Sequence, residues 1–375
     1  MQYDWRPNGT GEKWNMRLVV MPGDGIGPEV TAATVRVLEK LDRRLDLGIA
    51  LETHEVGFAT LGKDGTTLPA TALKAAHEAD GVILGPVSTL EYPAPEKGGI
   101  NVSAALRREL DLYANLRPAR SRRGIPHYGR TAMDLVIARE NTEGFYAVRT
   151  MYLGYGEFMP TPDLAFAIRK VSAAASRRIA RAGFGLAMRR RKKVTGVHKA
   201  NVLMMSEALF LSEVRKVAAE FPAVAYDEQL VDSMTAMLVR DAARFDVVVT
   251  TNLFGDILSD LSSELSGSLG LGASVNAGDT HCMAQAQHGS APDIAGQDKA
   301  NPVSLILSAA MLLDWLADRH RAEKFSRAAA AIDRAVDTVL EHPETRTRDL
   351  GGKLGTSSFT ASLVDALEPE LAAAG

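Results

Sequence analysis

Two aspartates lie four residues apart in the stretch 245–272. Asp256 and Asp260 follow the β-branched run 247–250, which predicts a buried strand. The sequence predicts a turn at 252–255 and then a helix, on which this spacing places both carboxylates on one face. A hard divalent cation such as Mg²⁺ or Mn²⁺ would offset their repulsion, and the helix N-terminus would offset a smaller part of it. Two solvated acids in the first turns of a helix explain this stretch equally well.

A lysine and a third aspartate also lie where a predicted strand ends and a helix begins. Lys199 follows the predicted strand 194–197 and is a candidate base if burial lowers its pKa. Asp232 follows a strand predicted within 221–231 and opens a helix, as Asp256 does. Asp232 is therefore the natural third carboxylate for a metal ion.

Three arginines are candidates for binding an anionic substrate. Arg139 follows the predicted strand 135–138, and an arginine at the end of a buried strand is uncommon without a partner. The guanidinium group suits bidentate recognition of a carboxylate. With Arg107, on an apolar helical stripe at 104–113, and Arg117, it indicates a di- or tricarboxylate substrate. Each arginine taken alone is also explained by a surface ion pair.

Two loops offer polar groups for a nucleotide. Ser88 and Thr89 follow the predicted strand 81–84, at the edge where ligands bind in parallel sheets, although plain turn hydroxyls are an equal explanation. The loop 287–296, with His288 and the nearby Asn301, is able to wrap an adenine and a ribose.

The glycine-rich turn 23–28 follows the predicted first strand, 17–22. Its glycines do not have the G-x-G-x-x-G spacing, and no acidic second strand follows, so the sequence argues against a Rossmann site. The glycines instead indicate close approach of the backbone to another ligand or a packed element.

The elements that must position these residues alternate between strands and helices, which predicts an α/β fold with a largely parallel sheet. We expect a further helix at 169–182 and a helical segment at 303–340, and the stretch 267–278 is glycine-rich and uncharged.

Length, net charge and cysteine content limit the class of protein that the sequence can encode. With 375 residues, a net charge of −3 and the single cysteine Cys282, the sequence predicts about two domains of a cytoplasmic protein without disulfides. We expect no membrane span, because no apolar run is long enough, and a loose N-terminus of about 15 residues without a signal core. The basic cluster 189–193 allows nucleic-acid binding, but a solvated helix end explains it better, and we expect no nucleic-acid partner.

Several motifs in order resemble the β-decarboxylating dehydrogenases, the isocitrate and 3-isopropylmalate dehydrogenase family. The resemblance extends over about 16–367. The motifs are PGDGIGPEV (22–30), LDLYANLRP (110–118), RENTEG (139–144), HKAN (198–201), TTNLFGDILSDLSSEL (250–265), HGSAPDIAG (288–296) and ANP (300–302).

The resemblance implies an isopropylmalate dehydrogenase-like fold, with two α/β domains and a non-Rossmann NAD site. The larger, cofactor-binding domain is expected at 1–112 and 267–375, and the smaller domain at 113–266. It also implies a homodimer, or a higher oligomer, whose subunits share the active site and are joined by a clasp arm at about 147–166.

The resemblance also assigns roles to single residues. Arg107, Arg117 and Arg139 match the clamp on the malate carboxylates, and Tyr146 matches the tyrosine that helps to protonate the enol after CO₂ leaves. Lys199 acts on the hydroxyl proton directly or through Asp232, both from the second subunit. The metal carboxylates are Asp232, Asp256 and Asp260. The cofactor residues are Ser88, Thr89, His288, Gly289, Ser290, Ala291, Asp293, Ile294 and Asn301.

Departures from the family pattern bear on cofactor and substrate. Asp293 and Ile294 stand where NADP enzymes carry Lys-Tyr, which predicts NAD. Asn101 and Ser103 favour a polar substituent over an alkyl group. An isocitrate-like malate is therefore expected, with 3-isopropylmalate, tartrate, D-malate or homoisocitrate as alternatives, the last disfavoured by Ala104. Gln285 replaces a glutamate of many relatives.

A non-catalytic regulatory subunit is the alternative from another class. Such paralogues usually lack the tyrosine, the lysine or one aspartate, and Tyr146, Lys199 and Asp256 are all present here. The sequence therefore favours an enzyme, an NAD-dependent β-decarboxylating dehydrogenase.

Overall fold

A computed structural model describes residues 15–146 and 156–372. Within these residues, ten strands form one sheet in the order β2-β1-β3-β12-β11-β4-β5-β10-β8-β9, and β6 and β7 form a separate hairpin. The strands are β1 Met16–Met21, β2 Ile49–Thr53, β3 Gly81–Leu84, β4 Ala114–Arg120, β5 Asp134–Glu140, β6 Glu157–Thr161, β7 Leu164–Ala167, β8 Lys193–His198, β9 Ala225–Leu230, β10 Val247–Thr250, β11 Val275–Ala277 and β12 Cys282–Gln285.

Helices cover both faces of the sheet. They are α1 Gly27–Leu45, α2 Phe58–Asp64, α3 Ala70–Glu78, α4 Val102–Glu109, α5 Ala173–Met188, α6 Ser206–Glu220, α7 Val231–Asp241, α8 Asn252–Ser266, α9 Val303–His320, α10 Glu323–Glu341 and α11 Thr356–Ala372. The predicted α/β fold with a mostly parallel sheet is confirmed: six of the nine described strand pairs in the sheet are parallel, and the pairs β12–β11, β11–β4 and β4–β5 are antiparallel.

Alternating side chains of each strand enter different cores. In β1, Leu18 and Val20 join the core under α1, α9, α10 and α11, whereas Val19 and Met21 pack with α3 and α4. In β10, Val249 packs with α5 and α6, and Val248 packs with α7 and α8. Each such buried side chain contributes about 1.5–3 kcal/mol, so burial on both faces fixes the register of the strands that carry the polar residues at their ends.

The two halves of the sheet come from different parts of the chain. The strands from β2 to β11 in the sheet order belong to 1–112 and 267–375, and those from β4 to β9 belong to 113–266. The division into two domains stays a prediction, with β11 and β4 as the strands that join the halves.

The predicted turn at 252–255 is wrong. Helix α8 begins at Asn252, and the amide of Gly255 donates to the carbonyl of Thr251 as in a helix. Asn252 and Gly255 have the composition of a turn, but the carboxamide of Asn252 is held by Arg139 and by the backbone of Glu143. These tertiary contacts override the local preference of the sequence.

Other parts of the secondary structure also differ from the sequence prediction or add to it. Helix α4 ends at Glu109 because Asp111 adopts a left-handed conformation (φ 47°), so Tyr113 lies outside it. The glycine-rich stretch 267–278 contains the strand β11. The helical segment 303–340 is two helices separated at Arg321 (φ 51°). The helix expected from residue 169 begins at Ala173, after the cap Ser172.

Two predicted features lie partly outside the described residues. These are the loose N-terminus, of which 1–14 are not described, and the clasp arm, of which 147–155 are not described. The described part of the arm is the hairpin β6–β7, in which every strand residue is exposed. Among the described helices, none has the length and apolar character needed to cross a membrane.

Candidate active site

Asp256 and Asp260 lie on one face of α8, as their spacing predicts. A single nitrogen of Arg117, Nη1, donates to Asp256 Oδ1 at 3.2 Å and to Asp260 Oδ1 at 3.1 Å. Arg139 also pairs with Asp256 through Nη1. The two aspartates therefore share cationic partners within one chain, which reduces their mutual repulsion.

The sheet register explains why two arginines reach the same helix. Arg117 and Asn115 lie on the same face of β4, and Asn115 is paired with Arg139 across the antiparallel β4–β5 ladder. Asn115 Oδ1 accepts from Arg117 Nε at 2.7 Å. Asn252 Oδ1 accepts from Arg139 Nη2 at 2.7 Å and from Nε. Both guanidinium groups are thus oriented by amides and directed at α8.

The arginines determine the charge state of Asp256. Burial alone would raise the pKa of this carboxyl, but Arg139 and Arg117 outweigh burial, with smaller help from Tyr146 and Arg107, and the pKa is lowered overall. In turn, burial and the neighbouring Arg139 lower the pKa of Arg117 to about 10, although its two aspartate partners act in the opposite direction. Asp256 is therefore a carboxylate at neutral pH.

Tyr146 joins this group through its hydroxyl, which donates to Asp256 Oδ2 at 3.2 Å. The guanidinium carbon of Arg139 lies 5.8 Å from the centre of the tyrosine ring, within the range of a cation–π contact. Tyr146 follows the RENTEG segment closely, so the end of β5 and the turn after it supply both Arg139 and the phenol.

Lys199 and Asp232 form a second group. Lys199 Nζ lies 2.8 Å from Asp232 Oδ1, and the lysine side chain is 25% exposed against 64% for the aspartate. The hydrogen bond from Lys199 is the largest of the effects that lower the pKa of Asp232. Within the described residues of one chain, no three His, Cys, Asp or Glu side chains cluster as a metal site. The α8 carboxylates alone provide two hard oxygen ligands, which fit half of a Mg²⁺ or Mn²⁺ site.

Arg107 and Ser103 lie together on α4. Both donate to Oε1 of Gln285 at the end of β12, Arg107 Nη2 at 3.0 Å and Ser103 Oγ at 3.1 Å. The predicted substrate residue Asn101 caps this helix, and its Oδ1 accepts from the amide of Ala104 at 2.9 Å. A neutral glutamine thus orients the third arginine.

The glycine-rich turn packs against the predicted cofactor loop. The amide of Ile26 donates to the carbonyl of Ser290, and a Cβ at Gly25 would lie only 2.0 Å from that oxygen. Ser290 Oγ lies 2.7 Å from Ser88 Oγ, and Asp24 accepts from the Ser88 amide at 3.0 Å. The glycines therefore allow contact with a packed loop, one of the two uses expected for them.

The loop that follows β12 contains the other predicted cofactor residues. His288 Nδ1 lies 3.0 Å from the Gly289 carbonyl, whereas its Nε2 is buried and has no hydrogen-bond partner among the described residues. Burial lowers the pKa of His288, so its ring is neutral at neutral pH. An unsatisfied buried nitrogen beside an open loop fits a ligand that supplies the missing hydrogen bond.

The remaining loop residues divide into exposed and structural ones. Ala291 has a left-handed backbone (φ 37°), Asp293 is exposed, and Ile294 packs on the main core. Asn301 is engaged within the fold, since it donates to Asp349 at 2.9 Å and accepts from the amide of Val303. In the same region, Thr89 is half-buried and Gly289 is exposed.

Three residues beside the site were not recognised as contacts from the sequence. Asn252 holds Arg139, Gln285 holds Arg107, and Gln287 donates from Nε2 to Asp260 Oδ1 at 2.8 Å. Gln287 directly precedes the HGSAPDIAG motif, and Gln285 stands where many relatives carry a glutamate; these are the signals in the sequence that place the two residues near the site.

The basic cluster 189–193 is largely paired with carboxylates. Arg189 pairs with Asp318, Arg190 and Arg191 pair with Asp134, and Lys193 pairs with Asp227. These ion pairs leave little net positive charge at this end of α5.

Comparisons with known proteins agree with the fold and the motifs. The profile of the family described as isocitrate/isopropylmalate dehydrogenase matches residues 17–367. The chain is 43% identical to the isocitrate/homoisocitrate dehydrogenase of Thermus thermophilus, over 94% of this chain and 98% of that protein. It is 40% identical to the 3-isopropylmalate dehydrogenase of Archaeoglobus fulgidus, over 93% and 99% of the two chains.

A solved structure gives the same result. The crystal structure of isocitrate dehydrogenase from Methylococcus capsulatus superposes with a TM-score of 0.82 at 38% identity, over 94% of this chain and 99% of that chain. The fold and the sequence thus define a decarboxylating dehydrogenase, and the predicted resemblance is confirmed. The chain belongs to the isocitrate/isopropylmalate dehydrogenase family, whose members generally use a divalent metal and NAD or NADP.

Proposed function

We propose that this enzyme catalyses the NAD- and metal-dependent oxidative decarboxylation of a malate-type 2-hydroxy acid with a polar substituent at carbon 3, isocitrate or a close analogue. The observation that carries the proposal is the group formed by Arg117, Arg139 and Asp256. Two buried guanidinium groups meet a carboxylate whose side chain is one-third exposed, so the group faces the space where an anionic substrate would bind.

The arginines bind and orient the substrate in this proposal. Arg107, Arg117 and Arg139 are each at most 8% exposed, and a desolvated guanidinium pairs strongly with a carboxylate. The amides of Asn115, Asn252 and Gln285 hold them in fixed positions, so little conformational entropy is lost when the malate carboxylates bind.

Two groups move protons. Lys199, alone or through Asp232, accepts the proton of the substrate hydroxyl as hydride leaves carbon 2. Tyr146 helps to protonate the enol that remains after CO₂ is lost, and its hydroxyl is already held near the site by Asp256. Asp256 and Asp260 would hold a divalent metal that would supply Lewis-acid stabilisation of developing negative charge, and a bound nicotinamide would accept the hydride.

A homodimer, or a higher oligomer built from it, completes the site in the proposal. Among the described residues of one chain, Asp232 does not cluster with the α8 carboxylates as a metal site, and Lys199 pairs with Asp232. The hairpin β6–β7 exposes a group of large apolar side chains, as expected for a surface covered by a second copy. They are Phe158, Met159, Leu164 and Phe166. Asp232 of a second copy would then be the third metal carboxylate.

The cofactor residues are proposed to be Ser88, Thr89, His288, Gly289, Ser290, Ala291, Asp293, Ile294 and Asn301. The exposed Asp293 supports NAD over NADP, because a carboxylate would repel a 2′-phosphate. A cytoplasmic location agrees with Cys282, which is buried as a free thiol.

The polar surroundings of Ser103 support a polar substituent. Ser103 is 8% exposed and its hydroxyl donates to Gln285, so this part of the site is polar. Polar atoms here that lose water to an alkyl group without gaining a hydrogen bond would cost about 1–3 kcal/mol. A relative that is 43% identical is named for isocitrate and homoisocitrate, whereas others are named for 3-isopropylmalate.

An activity panel tests the proposed substrate. NAD⁺ reduction with Mn²⁺ is measured with isocitrate, homoisocitrate, 3-isopropylmalate, D-malate and tartrate. We expect the highest kcat/KM with isocitrate. A higher value with 3-isopropylmalate would contradict the polar-substituent proposal, and no turnover with any of them would favour a regulatory subunit.

A further inference from the structure

We propose that Gln287 is a positioning residue that couples dinucleotide binding to metal binding, through its hydrogen bond to Asp260. The inference rests on the proposed function, since it takes Asp260 as a metal ligand and the adjacent loop as the nucleotide site. Gln287 lies directly before His288 in this loop, and its side chain contacts Asp260 on helix α8.

Both the nitrogen and the oxygen of the Gln287 side-chain amide are hydrogen-bonded. Nε2 donates to Asp260 Oδ1 at 2.8 Å, and Oε1 accepts from Ser263 Oγ at 3.0 Å. Asp260 and Ser263 are three residues apart and adjacent on α8. The amide thus has one donor and one acceptor partner, which fixes which way its nitrogen points.

The backbone of Gln287 is also fixed. Its amide donates to Ser304 Oγ at 3.1 Å, and Ser304 is fully buried near the start of α9. Gly272 provides the space for the side chain, because a Cβ there would lie 2.4 Å from Gln287 Oε1. Gln287 is therefore a connection with little freedom of its own between the loop at His288 and Asp260, so order in the loop and order of the Asp260 carboxylate are linked.

Asp260 is the less restrained of the two α8 carboxylates. Its side chain is 55% exposed, and its Oδ1 accepts from both Arg117 and Gln287. Arg117 orients it from the substrate side and Gln287 from the nucleotide side. A neutral amide achieves this without added charge, whereas a glutamate at 287 would repel Asp260.

Coupling of this kind is reciprocal. If a bound dinucleotide orders the loop and so fixes the Asp260 carboxylate, NAD⁺ must tighten Mn²⁺ binding by the same factor by which Mn²⁺ tightens NAD⁺ binding. Coupling factors between sites are typically about 5–150-fold. Loss of the Gln287 bond should reduce this factor while both ligands still bind.

The test is Mn²⁺ titration of the full chain, followed by the electron paramagnetic resonance signal of free Mn²⁺, with and without NAD⁺. Gln287→Met keeps the side-chain length and removes the hydrogen bonds, and Gln297→Met is a matched control. Gln297 lies in the same loop and donates to the Asp293 carbonyl rather than to α8. We expect the wild type and Gln297→Met to bind Mn²⁺ at least about fivefold more tightly with NAD⁺.

We expect Gln287→Met to bind Mn²⁺ about 10–100-fold more weakly than the wild type, as when a hydrogen bond to a metal ligand is lost. Addition of NAD⁺ should then tighten the binding of Mn²⁺ by less than about twofold. A wild type with no NAD⁺ effect, or a Gln287→Met variant that keeps it, would overturn the inference. Ser263→Ala, which frees the other end of the amide, should give an intermediate coupling factor.

Asp256→Asn separates this inference from the proposed function. If Asp256→Asn binds Mn²⁺ as tightly as the wild type, the metal assignment fails and the inference with it. If Asp256→Asn loses Mn²⁺ while Gln287→Met retains full coupling, the inference alone fails.

Discussion

Arg139 and Asp256 form an ion pair in which the arginine side chain is 2% exposed and the aspartate side chain 33% exposed. The cation is buried at the end of β5, and the anion lies on α8 with one edge open. Such a pair keeps the carboxylate ionised and leaves it accessible to a ligand. Much of the proposed chemistry depends on this arrangement.

The α8 carboxylates should be required for turnover. We expect Asp256→Asn to lower metal-dependent NAD⁺ reduction by about 10³-fold, because the Lewis-acid contribution of a metal is worth several kcal/mol. The measurement is kcat over a range of Mn²⁺ concentrations. Asp260→Asn controls for folding because Asp260 is more exposed, so its substitution should affect stability less. It should show the same loss of metal-dependent activity. Full activity of either variant would refute the metal assignment.

Tyr146→Phe should affect kcat more than KM. The hydroxyl is proposed to protonate the enol, and loss of a general acid costs about 10²–10⁴-fold. Because the aromatic ring and its contact with Arg139 remain, substrate binding should change little. Steady-state kinetics separate the two parameters. A change confined to KM would show that the phenol only binds substrate.

Asp256 should also contribute to stability in a pH-dependent way. Its pKa in the folded protein is lowered, so its contribution is present above the unfolded value of about 3.9 and is lost as the pH falls below it. Urea unfolding of the wild type and Asp256→Asn, at one protein concentration, measures the contribution. The difference between them should be largest near pH 7 and shrink below about pH 4. A constant difference would contradict the ion-pair account.

Cofactor preference should follow the residue at 293. We expect the wild type to have a higher kcat/KM with NAD⁺ than with NADP⁺, because like charges about 4 Å apart repel by about 1–4 kcal/mol. Exchange of Asp293 and Ile294 for Lys and Tyr should reverse the preference. Comparable wild-type turnover with both cofactors would rule out the proposed role of Asp293.

The sequence predicted the parts of the site that depend on local order. Strand ends placed Arg139, Lys199 and Asp232, and helical spacing placed Asp256 and Asp260 on one face of α8. These features follow from periodicities of two and 3.6 residues, which need no tertiary information.

The contacts between elements were not predictable in the same way. Asn252 has the composition of a turn residue, yet its bonds to Arg139 and Glu143 place it in the first turn of a helix. Gln285 and Gln287 are ordinary loop-edge residues in the sequence. Only the packing of the end of β12 and the segment after it beside α4 and α8 brings them to Arg107 and Asp260. Side-chain partners that are distant in sequence are set by packing, which local propensity does not encode.

A shared site is the central claim, and a mixed-subunit experiment tests it most directly. Asp256→Asn and Lys199→Met are each expected to be inactive alone, because every site then lacks one essential residue. If two subunits build each site, random exchange makes half of the dimers mixed, and each of these has one intact site. Mixing the two variants should therefore restore about one quarter of wild-type NAD⁺ reduction. Activity that stays at the level of the separate variants would show that Lys199 and Asp256 act within one chain.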